Sequence, residues 1–160
     1  MKNYFYISNR KFAIVIKEVA FDSLLIPCIV TVMSKEKFVL EYDFKKISPT
    51  ILWEFLNTPQ GLEEWFADKV ECNEKEFTFY WNKTPQMAQM VNSRIGVFVR
   101  FHWTDEVNDR TFFEMRITTS ELTGTTMLSV TDFASSDEKE ELQELWDNEI
   151  ERLQRRLGVL

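Results

Sequence analysis

Between Phe77 and Phe133 the large apolar side chains fall on every second residue, whereas from Leu142 onward they fall every third or fourth. That change of period confines the chain to a sheet with one apolar face followed by one amphipathic helix. A repeat of two sorts side chains to the two sides of a strand, and a repeat near 3.6 gathers them on one stripe of a helix. Phe77, Phe79 and Trp81 alternate with Glu76, Thr78 and Tyr80. Val97, Val99, Phe101 and Trp103 alternate with Phe98, Arg100 and His102, and Phe113, Met115 and Ile117 with Glu114 and Arg116. Turn-forming stretches at Asn82–Pro85, Thr104–Asp109 and Leu122–Gly124 separate them, and Met87–Val91 and Thr126–Phe133 complete the set. The pattern predicts an antiparallel meander of six or seven strands, wet on one face.

The flanks add helices. Lys37–Phe44 alternates, with Phe38, Leu40, Tyr42 and Phe44 on one side and Val39, Glu41 and Asp43 on the other, and reads as a strand. Ser48 then supplies a capping oxygen and Pro49 a ring suited to the first helical position, predicting a helix to Asn57. Pro59 and Gly61 are expected to break the chain before a short second helix, Leu62–Phe66, anchored by Trp65. Ser135 and Glu138 have capping-box spacing. Leu142, Leu145, Trp146, Ile150, Leu153 and Leu157 then form the stripe of a long helix ending at Gly158, about 30 Å at 1.5 Å per residue.

A chain of 160 residues is one domain's worth, and 44% hydrophobic with 14% aromatic residues is a globular composition. Residues 1–32 stand apart. Lys2, Arg10, Lys11 and Lys17 outnumber Glu18 and Asp22 there, while the rest of the chain carries the acidic excess behind the net charge of -7. The apolar runs Phe12–Ile16 and Leu24–Val32 fall short of the ~20 residues of a bilayer span, and no small-residue cleavage site follows them. Two readings stay open: a signal or anchor built on Leu24–Val32, and an upstream extension or mistaken start ahead of Met33. The second is favoured, and it places the domain at 33–160. Cys28 and Cys72 are too few and too far apart for a disulfide framework or zinc site and fit a reduced, cytoplasmic protein. The acidic balance disfavours nucleic acid as a partner.

Pro49 with Trp53, Trp65-Phe66, the run Phe77-Thr78-Phe79-Tyr80-Trp81, Phe101-His102-Trp103, Gly124-Thr125-Thr126, and the closing Leu145-Trp146 to Leu157 occur in an order that resembles the START-like, or SRPBCC, helix-grip superfamily. The likeness is nearest to the branch of homologues of the activator of the heat-shock-protein-ninety ATPase. It runs from about Phe38 to Gly158, and order and spacing carry it. It implies an α+β fold in which a curved antiparallel sheet wraps a long C-terminal helix, with two short helices after the first strand. It also implies an internal ligand cavity or a protein-binding surface, and roles that span lipid carriers, cyclases and chaperone activators.

The chain's chemistry is sparse. His102, the single histidine, takes the outward phase of its strand, and neither it nor the cysteines form a nucleophile pair or metal set by spacing. The glycines form no phosphate loop, and no cofactor is expected. Glu114 and Arg116 are expected to pair with Arg100 on the outer face. Asp132 differs, because if Leu128 and Val130 face inward the period of two turns it inward too. The candidate ligand-binding set is Tyr42, Trp65, Phe79, Trp81, Phe101, Trp103, Phe113, Met115, Asp132 and Trp146, lining the space between sheet and helix, with Trp65 near its mouth. The competing expectation is that these rings simply fill it. The leading reading is a binding module for a small apolar or lipid-like molecule. A protein-interaction module such as a chaperone activator and a cyclase- or hydrolase-type enzyme using a cavity carboxylate are the alternatives.

Overall fold

The computed structural model describes residues 34–159; the expectations for residues 1–32 lie outside them. Strand β1 (Glu36–Asp43) leads to helices α1 (Pro49–Asn57) and α2 (Pro59–Glu63). Strands β2 (Lys69–Asn73), β3 (Glu76–Trp81), β4 (Thr84–Arg94), β5 (Phe98–Trp103), β6 (Phe113–Thr119) and β7 (Thr126–Ala134) follow, and helix α3 (Lys139–Leu157) closes the chain. The seven strands form one antiparallel sheet in the order β1-β7-β6-β5-β4-β3-β2, so the first strand pairs with the last.

Register sets the faces. Phe77 lies opposite Ala88, which lies opposite Trp103, and Phe101 lies opposite Phe113. All five are buried, so the expected alternation converges on one inner face. Helix α3 carries Trp146, Ile150 and Leu153 onto that face, while α1 and α2 contribute Leu52, Leu56 and Leu62 to the same core. Gly158 ends α3 in the left-handed region (φ 70°), and the N–H groups of Gly158 and Val159 return to the carbonyls of Arg155 and Gln154 at 3.1 and 3.0 Å. This closes the helix as its glycine predicted.

On the outer face the carboxylate of Glu114 is only 6% exposed. It accepts from Arg100 Nε and Nη2 at 2.9 and 2.7 Å across the β5–β6 pair, and from Arg116 Nε at 2.9 Å along its own strand. The two guanidinium groups lie over Phe112 and Phe98, at 4.0 and 4.3 Å from the ring centroids. His102 is half-buried on this side, its Nδ1 2.7 Å from the Thr111 carbonyl.

Local readings were wrong in four places. Helix α2 begins at Pro59 rather than Leu62, because Thr58 Oγ1 accepts from the Gly61 N–H at 3.0 Å and Pro59 occupies the first turn. A proline there opens a helix instead of breaking the chain. Strand β4 extends from Thr84 to Arg94, beyond Met87–Val91. The preceding turn shrinks to Asn82 and Lys83, whose positive φ values of 50° and 67° suit a two-residue hairpin. Its far half is displaced by a register shift between Met90 and Asn92, which hides the strand from a strict period of two. The box at Ser135 is also incomplete. Glu138 Oε2 takes the Ser135 hydroxyl at 2.6 Å and its N–H at 3.4 Å, so the serine oxygen donates rather than caps and α3 starts at Lys139.

Gly61 joins the two short helices. A Cβ at this position would fall 2.1 Å from the Glu54 carbonyl oxygen and 2.7 Å from the Phe55 Cα, both backbone atoms. Gly61→Ala therefore forces α2 away from α1, and urea denaturation is expected to show a loss of about 2 kcal/mol or more, in the range of overpacked sites.

Candidate functional site

The site grows from the sheet outward. Phe79 on β3 stacks on Trp81 at 5.8 Å and meets Trp103 of β5 edge-on at 5.6 Å. Trp103 stacks on Phe113 of β6 at 4.8 Å, and Phe101 stacks on the same ring at 5.0 Å. These five side chains reach the face because their strand positions are two apart and their registers match. Trp146 arrives from α3, 6.0 Å from Phe113.

Phe66, just past α2, completes the layer. Its ring contacts Phe79, Trp81, Phe113 and Trp146 at 5.1, 5.8, 5.7 and 5.7 Å, and it joins the sheet's aromatics to those of both helical segments. The sequence reading kept Phe66 as a helix-end residue and assigned the anchor role to its neighbour. The usable signal was the adjacent pair of large rings at the return from helix to sheet.

Asp132 is the polar member. It faces inward as its strand phase required and is 7% exposed. Oδ2 accepts from the Trp146 indole N–H at 2.9 Å, and Oδ1 from the Phe133 backbone N–H at 2.7 Å. It is paired with Phe38 of β1 and lies one step beyond the Glu114–Thr131 pair, level with Phe113. A carboxylate is thereby held against the aromatic layer by donors from β7 and α3.

The remaining candidates are placed around this group. Met115 is buried two residues along β6 from Phe113, between Val99 and Val130. Trp65 is buried, with its indole N–H on the Phe55 carbonyl at 2.9 Å and its ring edge-on to Phe66 at 5.3 Å. Tyr42 is half-buried on β1, and its hydroxyl donates to Asp147 Oδ1 at 2.7 Å, which fastens the sheet edge to α3. Gln86 of β4, absent from the expected set, is buried on the inner face opposite Phe79. Its Nε2 donates to Asp105 at 3.3 Å, while its Oε1 is buried with no hydrogen-bond partner.

Separately, an open cleft of about 210 Å³ lies against Asp43, Lys45, Lys46 and Val159, at the far end of α3. No group of three or more His, Cys, Asp or Glu among the described residues is arranged to hold a metal ion. Nor is any helix among them long and apolar enough to cross a membrane.

Residues 32–159 match the family model described as a START-like superfamily domain. The chain belongs to that superfamily. A protein from Bacteroides fragilis with a solution NMR structure is 46% identical, covering 80% of this chain and 95% of its own, with a TM-score of 0.58. The Aha1 dimer from Colwellia psychrerythraea shares the START-like fold at 15% identity and a TM-score of 0.62, over 74% of this chain and 92% of its own. CalU16 from Micromonospora echinospora does so at 13% identity and 0.58, over 76% of each chain. No curated protein matches the sequence. Within this START-like domain the helix-grip arrangement expected from the order of motifs is the arrangement found: a curved seven-stranded sheet, two short helices after the first strand and a closing helix.

Burial pushes the Tyr42 phenol far above its ordinary value of 10.0, and the bond to Asp147 and that carboxylate's charge act in the same direction. The fold therefore prefers the neutral phenol. Its contribution to stability is complete below about pH 10 and is lost as pH rises, because the unfolded chain ionises first. In Tyr42→Phe, the fall in urea midpoint between about pH 9 and about pH 11 is expected to be shallower than in the parent protein.

Proposed function

We propose that this START-like domain is a binding module for a small apolar or lipid-like molecule, held where the aromatic face of the sheet meets α3. The observation that carries this reading is the layer formed by Phe66, Phe79, Trp81, Trp103, Phe113 and Trp146, whose neighbouring ring centroids lie 4.8–6.2 Å apart. Large rings offer broad apolar contact with few rotatable bonds, and apolar surfaces with a few placed polar groups are the usual lining of small-molecule sites. Asp132 supplies such a group within the layer. Superfamily membership supports the reading through the internal ligand space that the resemblance implies.

The rings touch one another, so a guest enters by parting Trp146 and its helix from the sheet side of the layer. Tyr42, Met115, Phe101 and Trp65 border that space and set its extent. No acid–base pair is needed for this role, and Asp132 serves it as a fixed polar contact.

Titration with the apolar dye N-phenyl-1-naphthylamine tests the proposal. The expected result is enhanced dye emission with quenched tryptophan fluorescence, one dye per chain and a dissociation constant in the micromolar range. Met115→Trp, which adds bulk beneath Phe113, is expected to weaken the dye about tenfold. Absence of saturable binding, or equal binding in the folded variant, would overturn the reading.

A further inference from the structure

We propose that the outer face of the sheet, centred on Arg100 and Arg116, docks an acidic segment of a partner protein whose carboxylates bind the edges of the two guanidinium groups. This role is independent of the apolar-binding role and uses the opposite side of the sheet. The three helices bury their apolar residues in the core on the inner face, so the described residues give the outer face no second layer.

The site arises from an imbalance around Glu114. One carboxylate, 6% exposed, serves two guanidinium groups. Arg100 spends Nε and Nη2 on it and Arg116 spends Nε, which leaves Arg100 Nη1 and both Nη groups of Arg116 without a hydrogen-bond partner among the described residues. The two arginine side chains are 31% and 35% exposed, so a molecule lying on the sheet can reach them. Arg100 lies over Phe112 at 4.0 Å and Arg116 over Phe98 at 4.3 Å, so each guanidinium has one face taken and offers its edge. Such an edge is a planar set of N–H donors that a carboxylate matches. Stacking and the Glu114 bonds already hold both side chains, which leaves little rotamer freedom to lose on binding.

The surroundings select the partner. Arg94 lies opposite Phe98 on β4 and Lys37 opposite Phe133 on β1, and both are exposed. Along the row of Arg116 the next carboxylate, Glu41, is two strands away, beyond Ser129. Charges more than about 8 Å apart are largely screened at physiological salt, so these local cations govern the encounter although the whole chain carries -7. Phe133, edge-on to Phe112 at 5.0 Å, and Val39, 48% exposed and opposite Thr131, give an apolar side chain of the same segment a place to rest. A nucleic acid fits less well, because the guanidinium groups occupy ring faces on which bases would stack.

Fluorescence anisotropy of a rhodamine-labelled peptide, Ser-Glu-Glu-Phe-Ser-Glu-Glu-Phe-Ser, with the whole protein tests the proposal. Saturable binding with a dissociation constant of roughly 10–100 μM is expected, weakening as salt is raised. The counterpart with Gln for every Glu is expected to bind at least about tenfold more weakly. Arg116→Gln removes one edge while Arg100 still holds Glu114, and is expected to weaken the acidic peptide about tenfold; Arg116→Lys, which keeps the charge and loses the planar donor set, about threefold. Arg94→Glu, at an exposed position with no side-chain partner among the described residues, is expected to cost about fivefold and decides the matter if the thermal transition shows Arg116→Gln to be unfolded. Lys46→Glu, the same charge change on the loop between β1 and α1, is expected to stay within about twofold. Absence of saturable binding, equal binding of the Glu and Gln peptides, or unchanged binding in Arg94→Glu and in folded Arg116→Gln would overturn the proposal. It also fails if glutarate or a short oligothymidine competes at the concentration at which the unlabelled peptide does, since the face would then be a small-anion or nucleic-acid site.

Discussion

An antiparallel sheet that sends Phe77, Phe79, Phe101, Trp103, Phe113 and Met115 to one side must have that side covered, because each large ring brings roughly 150–250 Å² of surface that water solvates poorly. Every other part of the architecture answers this requirement. Helix α3 spans the sheet with Trp146, Ile150 and Leu153, and α1 and α2 fill the remainder with Leu52, Leu56 and Leu62. The polar links between helix and sheet sit where that cover needs orienting. Trp146 bonds to Asp132, Tyr42 to Asp147, and Gln154 Nε2 to the Asp43 carbonyl at 3.2 Å. Single hydrogen bonds of this kind contribute about 1 kcal/mol each. They select a position for a helix that apolar burial already holds down.

Two buried carboxylates of the sheet lie in opposite surroundings on its two faces. Glu114 is shielded on the outer side, where two arginines satisfy it and two phenylalanines shield the arginines in turn. Breaking such a shielded pair by removing one partner is costly, because the charge left behind remains away from water. Asp132 lies inside, held by an indole and a backbone N–H. The outer carboxylate sits among fixed cations of the protein, whereas the inner one sits among rings whose faces are themselves partly negative.

Much of this was legible in the residues because burial on a sheet follows strict parity. Once Leu128 and Val130 are inward, Asp132 has no other direction, and the Arg100–Glu114 pairing follows from two polar phases on adjacent strands. Parity fails where the backbone departs from it. The register shift in β4 concealed the far half of that strand, and the inward phase of Gln86 was lost because the stretch before it, Asn82–Pro85, read as a turn and the strand as starting at Met87. Proline and glycine are ambiguous punctuation, so Pro59 read as a stop although Thr58 makes it a start. Phe66 belongs to no regular element, and its place at the centre of the rings depends on how the segment after α2 returns to β2, which no periodicity records. Which side chains share the aromatic layer could thus be read in large part. How tightly they close on one another is a matter of packing, set by distances that sequence spacing does not contain.

The pairing of β1 with β7 bears on how the molecule is made. During synthesis from the N-terminus, β1 emerges first, yet its hydrogen-bonding neighbour is the last strand before the final helix. One border of the nascent sheet stays unsatisfied until nearly the whole domain has left the ribosome, and α3 can dock only afterwards. Long-range closure of this kind slows folding and leaves apolar strands open to association with other chains in the interval. The N-terminal strand of this domain is therefore a segment that a nascent-chain chaperone would have reason to hold until its partner is born.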